Sequence, residues 1–204
     1  MNSIVEFDFE KSYVLENEYV QLRPLTLEDR PNLLPFSLQE PNIWKYSLIT
    51  AAGEAALDNY LDTAVKARLE KKEYPFIVLD KRTNEYAGST RFYDVQLAFQ
   101  TLQLGYTWYG QKFQGTGLNK HCKFLLLSFA FDQLAMERVE FRADNNNERS
   151  IAAMKSIGCK VDGILRSQMP NREGDRRDTI VLSILKDEWQ DEVKEKLLSK
   201  LLIH

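Results

Sequence analysis

With 204 residues, 44% hydrophobic and 28% charged, the chain can build one domain with a real core and has an ordinary globular composition. A formal net charge of -3 and a pI near 5.6 provide no overall field that would recruit nucleic acid. No apolar run is long enough to span a bilayer, and the first residues lack a signal peptide's basic start. Two cysteines and two histidines leave little for a disulfide framework, a zinc site or a Ser–His triad; together these features point to the cytoplasm.

In chain order, residues 1–15 read as a surface arm. The stretch 19–25 alternates like a first strand, and Thr26, with Glu28 and Asp29 behind it, caps a short helix through Leu33, Leu34 and Phe36. From Ala51 to about Lys71, Leu57, Tyr60, Leu61, Ala64, Val65 and Leu69 recur at helical spacing. Three strands follow at 74–80, 86–94 and 101–108, the last feeding straight into a turn with Gly115 and Gly117. A helix with almost no polar side is expected from Gly117 to Leu134, then a strand at 138–143. Asn145–Asn147 caps a helix over 148–157, which Gly158 ends. Two last strands, 160–166 and 177–185, flank a turn-rich segment. A final amphipathic helix presents Trp189, Val193, Leu197 and Leu201 on the way to Leu202, within a C-terminal helical segment 187–204. No repeat or linker interrupts the chain, so 1–204 reads as a single domain. The element order implies a mixed α/β or α+β fold around one central sheet.

The stretch 106–131 organises the rest. Glycines let the backbone turn sharply, and the helix behind them opens with unpaired N–H groups and a positive dipole end, a combination that suits phosphate. Lys112, Lys120, His121 and Lys123 crowd this helix start, where a polyanion would offset their repulsion; a solvated basic face is the other reading. The turn lacks the Gly-Lys-Ser/Thr ending of a nucleoside-triphosphate loop and the third glycine of a dinucleotide fingerprint. Cys122 and Cys159 read as small core hydrophobes.

The runs Gln103-Leu-Gly-Tyr-Thr-Trp, Lys112-Phe-Gln-Gly-Thr-Gly-Leu, Asn147-Glu-Arg-Ser150 and Met154-Lys-Ser-Ile-Gly158, in this order, resemble the GNAT superfamily of acyl-CoA-dependent N-acetyltransferases. The finish Asp178-Thr-Ile-Val-Leu-Ser-Ile-Leu-Lys-Asp-Glu-Trp189 is similar to the branch with the ribosomal-protein-alanine and ribosomal-protein-serine acetyltransferases. The resemblance spans about residues 17–189. It implies a mostly antiparallel sheet flanked by helices, with a splayed strand pair, and acetyl-CoA as acyl donor. Backbone N–H groups of Gln114, Gly115, Thr116, Gly117 and Leu118, with Asn119 beside them, would hold the pyrophosphate. Lys112 stands where the family often has Gln or Arg. Thr107, Trp108 and Tyr109 would pair through their backbone with the pantetheine arm, and a backbone N–H near Thr107 or Trp108 would polarise the thioester carbonyl. Asn147 would meet the pantetheine, cap its own helix, or do both.

No residue stands out as a covalent nucleophile, so direct transfer in a ternary complex is expected. Gln103 stands in the place of the family's general-base Glu, where it could orient a water; Asp94, Glu140 and Glu40 are base candidates by residue type. Met154 replaces the family's acid Tyr, and Ser150 is the hydroxyl expected to donate to the leaving sulfur. Cys122 is expected buried and unactivated. The acceptor would be a small-molecule amine or a protein N-terminus, between walls carrying Glu40, Trp44 and Tyr46 and Tyr93 or Asp94. The hairpin 166–178 balances its arginines against acids and reads as a solvated loop. Neither nucleic acid nor a membrane is expected as partner, and the chain reads as a monomer or homodimer. A non-catalytic acyl-CoA-binding module is the alternative function.

Overall fold

The computed structural model describes residues 7–201. Among them eight strands join in one sheet. Strands β1 (Leu15–Glu16), β2 (Val20–Pro24), β3 (Tyr74–Asp80), β4 (Glu85–Gln96) and β5 (Thr101–Tyr109) pair antiparallel in sequence order. Strand β6 (Arg138–Asp144) joins β5 in parallel. Strands β7 (Lys160–Pro170) and β8 (Arg176–Leu185) form a hairpin whose second strand lies against β6. Helices α1 (Arg30–Gln39) and α2 (Glu54–Leu69) pack together over one face, where the Tyr60 hydroxyl of α2 meets Ser89 Oγ of β4 at 3.1 Å. Helix α3 (Leu118–Ser128) covers the other face, and α4 (Glu148–Ser156) packs on β6. The expected mixed fold, one mostly antiparallel sheet flanked by helices, is the one observed.

The elements follow from their patterns. All of β3 except Leu79 is buried, as a strand covered on both faces requires. In α3, Leu118, Cys122 and Leu126 repeat every four residues and are fully buried, so the helix is held by the sheet beneath it. It does not run on to Leu134 as a regular helix. After Ser128 one wider turn over Phe129–Gln133 intervenes, with the Leu134 N–H donating to the Phe129 carbonyl five residues back. That turn lets Phe129, Ala130 and Phe131 all be buried. Helix α2 starts at Glu54, and Ala51 packs in the core ahead of it.

Two further expectations are corrected. The arm is not on the surface: Phe7, Phe9, Tyr13 and Leu15 are buried, and the rings of Phe7 and Tyr13 pack on Tyr74 and Phe129. The reason is aromatic content, since a segment with four large apolar groups gains more by burial than it loses in chain entropy. Residues 1–6 of the arm lie outside the described residues. The segment 166–178 is largely exposed, as expected, but it is a strand pair with a short turn and not a loop, and Arg177 within it is buried. Its strands extend to a short turn closed by the Asn171 N–H on the Asp175 carbonyl, and Arg172 and Arg177 donate to the carbonyls of Trp44 and Tyr46.

The C-terminal segment begins with α5 (Lys186–Glu188), continues through a wide turn at Trp189–Val193, and ends in α6 (Lys194–Leu201) against α3. Trp189, Val193, Leu197 and Leu201 are buried as expected, with Trp189 stacked on Phe131 at 5.5 Å. Leu202 lies outside the described residues. Among the described residues no helix is long and apolar enough to cross a membrane.

Candidate active site

The site begins where a strand pair comes apart. Strands β5 and β6 are paired only at Thr101–Gln103 with Arg138–Glu140. Beyond that point β5 continues for six residues bound to β4, while β6 stays bound to β8 along its whole length. A wedge therefore opens between two strands that are each held from behind. Strand β5 is also bulged here: Tyr106 and Thr107 stand against Thr90 alone, and Tyr106 takes a φ of 50°. Ladder positions of β5 that face the wedge have no strand opposite, so their backbone groups are left for something else to pair with.

At the mouth of the wedge the chain does not pass straight from strand to glycine turn. A short helical turn, Gln111–Phe113, comes first, pinned by Glu40, which accepts the Gln111 N–H at 2.7 Å. Gly115 and Gly117 then take φ of 78° and 85°, the left-handed region in which only glycine is unstrained. Their N–H groups have no partner among the described residues, and the Leu118 N–H has only a 3.5 Å approach to Thr116 Oγ1. Donors, turn and helix start thus coincide at the solvent-facing end of the wedge. Asn119, at the second position of α3, keeps a buried Oδ1 with no partner.

The four cations expected at this helix start are distributed differently. Lys112 is exposed and bonded to Glu85 at 2.6 Å. Lys120 stands in the first turn of α3. His121 lies on the far side, stacked on Tyr19 at 4.4 Å with its Nδ1 3.1 Å from Asn17 Nδ2. Lys123 is buried inside the wedge: its Nζ donates to Thr107 Oγ1 of β5 at 2.8 Å and lies over the Phe141 ring of β6. No carboxylate pairs with it among the described residues, and burial pulls its pKa down to about 8. A cation that the sequence did not suggest joins the turn instead. Arg82, anchored on Asp80, donates to the Thr116 carbonyl at 3.2 Å. No local motif marks it; the β3–β4 hairpin alone brings it there.

The expected catalytic residues fall in two places. Gln103 sits at the root of the wedge, buried, and its Nε2 donates to Asp94 Oδ2 at 2.7 Å, so these two are joined. The other carboxylate candidates are engaged: Glu140, opposite Gln103, bonds to Arg138 and Arg142, and Glu40 holds the turn. Asn147 caps α4, accepting the Ser150 N–H at 3.1 Å and leaving its amide nitrogen to donate elsewhere. Ser150 is half-buried in the first turn, and Met154, one turn on along the same face, is buried, so this is the inward face of α4. The side chains of Trp108 and Tyr109 belong to the core. Trp108 packs on Trp44 and Phe36, so these two residues offer a ligand only their backbone. Of the acceptor-wall residues, Trp44 is buried, while Tyr46 and Asp94 are exposed. Cys122 is buried and its thiol is pushed up to about 12, so it is no nucleophile at neutral pH.

A parallel strand pair that opens toward a glycine turn with free N–H groups at a helix start defines a cleft for an elongated ligand with an anionic end. Comparison with known proteins gives that class its family. Residues 20–160 match the model of the acetyltransferase (GNAT) domain, and the chain belongs to this family of N-acetyltransferases. A T. thermophilus structure provisionally assigned as an acetyltransferase is 32% identical, covers 92% of this chain and 96% of its own, and has a TM-score of 0.82. A Bacillus subtilis (strain 168) protein provisionally named ribosomal N-acetyltransferase YdaF is 25% identical over 180 residues, 86% of this chain and 96% of its own. The ribosomal-protein-S5-alanine acetyltransferase of Vibrio fischeri shares the fold at 18% identity, covering 87% of this chain and 98% of its own, with a TM-score of 0.70.

Proposed function

We propose that the protein transfers an acetyl group from acetyl-CoA to a primary amine by direct attack in a ternary complex. The opened β5–β6 pair carries this reading, because it offers an extended polar edge of the right kind for the amide-bearing pantetheine arm. The free N–H groups of Gly115 and Gly117 and the weakly held one of Leu118, with Arg82 and Lys120 nearby, suit the pyrophosphate. Lys123 has N–H groups beyond the one given to Thr107, and a carbonyl of the donor arm would accept them.

The chemistry then falls to few groups. The amine nitrogen attacks the thioester carbonyl carbon. A backbone N–H of the bulged segment at Thr107 or Trp108 stabilises the developing oxyanion. The carbon–sulfur bond breaks, and the Ser150 hydroxyl donates a hydrogen bond that stabilises the departing thiolate. The amine's proton leaves through a water oriented by Gln103 and accepted by Asp94. Thermal-shift titration with acetyl-CoA, beside CoA and ATP, tests the donor. A ligand at one hundred times its Kd adds about 2.7 kcal/mol, an easily seen shift. A shift with acetyl-CoA that disappears in Gly115→Glu, together with thiol release across an amine panel, is the expected result. No shift at millimolar acetyl-CoA would sink the proposal.

A further inference from the structure

A groove runs beside the C-terminal end of β6, between the segment 45–48 and the turn of the β7–β8 hairpin; Asp144, Asn146, Asn171 and Arg177 line both of its halves. Asp144 is 7% exposed and Arg177 8% exposed. The β6–β8 register sets Asp144 opposite Thr179, and Arg177, two residues before Thr179, falls on the same face. Both charges are held by neutral groups. Arg177 gives Nε and Nη2 to the single hydroxyl of Thr179, at 3.3 and 3.2 Å, and Nη1 to the Tyr46 carbonyl at 3.5 Å. Asp144 Oδ1 accepts the Asn146 N–H at 2.9 Å. Neither residue makes an ion pair among the described residues.

Three other buried charges have a partner of opposite sign, while Lys123 in the wedge does not. Asp29 is paired with Arg23, Asp80 with Arg82 and Arg91 with Glu73. A buried ion left to neutral partners is costly, and each guanidinium nitrogen of Arg177 has an acceptor but none that is charged. Two such ions of opposite sign in one groove, held apart from each other, match a ligand that carries both charges.

We propose that this groove binds the acceptor, and that the acceptor is a small amine bearing a carboxylate, an amino-acid-like molecule. Arg177 takes the carboxylate through its guanidinium N–H groups, and Asp144 accepts the N–H of the amine. The inference rests on the acetyl-transfer reading above and narrows its acceptor. In the transfer, the new bond forms at the amine that Asp144 holds, the carbon–sulfur bond of the thioester breaks, the amine's proton passes for this acceptor to Asp144 in place of Asp94, and the carboxylate stays ionised on Arg177 throughout.

The test is kcat/KM for thiol release from acetyl-CoA with a panel of free α-amino acids, their carboxamides and a dipeptide amide. The wild-type chain should favour the carboxylates over the matching amides by about tenfold or more, because a site built for a charged group rejects an analogue that leaves it unpaired. In Arg177→Gln this ratio should collapse toward one, and Arg177→Lys should restore part of it. The acetyl-CoA thermal shift should persist in Arg177→Gln, which shows that the variant folds and keeps its donor site. Asp144→Asn should lower kcat/KM for every carboxylate acceptor by about tenfold. Amides or the dipeptide amide used as well as the free acids, or a preference that survives Arg177→Gln, would overturn the proposal while leaving acetyl transfer standing. Thiol release with no amine at all would overturn the transfer reading and this one with it.

Discussion

Lys123 shows how one residue can be unfavourable for folding and still stand where the proposed donor arm would run. Its amine is buried in the wedge with one hydroxyl and an aromatic face for company, and it titrates near 8 instead of 10.5. The neighbouring thiols, Cys122 and Cys159, are pushed up to about 12 and so stay neutral beside it. A lysine whose folded pKa lies below its unfolded value stabilises the unfolded state while it is protonated. The penalty is fully present below about pH 8, shrinks between about 8 and 10.5, and amounts to roughly 3 kcal/mol at neutral pH. Lys123→Met should therefore raise the Tm at pH 7 by several degrees, and the gain over wild type should shrink as the pH rises from about 8 to 10.5. The same variant should weaken acetyl-CoA binding, measured by calorimetry, while 3′,5′-ADP, which lacks the pantetheine arm, binds as before. Ser150 is the opposite case, a residue with no folding burden. Ser150→Ala should slow thiol release by ten- to a hundredfold and leave the acetyl-CoA thermal shift intact, since the lost interaction belongs to the leaving group alone. Normal turnover would remove Ser150 from the mechanism.

At the scale of elements, the site is the product of two strands that are each anchored on one side only. β5 is tied to β4 and β6 to β8, so the gap between them costs the sheet few hydrogen bonds. The glycine turn closes one end. Gly115 has open space around its Cα, so Gly115→Glu should fold, with a stability loss of about 1 kcal/mol for a side chain at φ of 78°. Its carboxylate would then stand among the N–H groups proposed to hold the pyrophosphate, and the acetyl-CoA shift should be absent. Motif spacing carried the turn and the capped start of α4, because both are local devices: glycine where the backbone turns left-handed, asparagine where a helix begins. It misassigned His121 and Lys123, which lie on other faces of the same helix, since crowding in sequence says nothing of which way each turn of a helix faces.

In the whole molecule the N-terminal segment closes the core. Phe7 and Tyr13 form a cluster with Tyr74, Phe92 and Phe129, which joins residues 7–15 to β3, β4 and the wide turn after α3. Removing residues 1–13 would expose those rings. A loss of several kcal/mol is expected, read as a Tm drop of about 10 °C or more; an unchanged Tm would mean the arm is only draped on the surface. The sequence by itself determined the elements, their order, the glycine turn and the family, because hydrophobic period, caps and turns are local and survive without knowledge of neighbours. Tertiary structure alone decided which polar groups meet. Arg82 reaches the turn across a hairpin, Asp94 joins Gln103 across β4 and β5, and Asp144 comes beside Arg177 through the pairing of β6 with β8. Those meetings depend on strand register, a property of two segments at once, and no pattern within either segment encodes it.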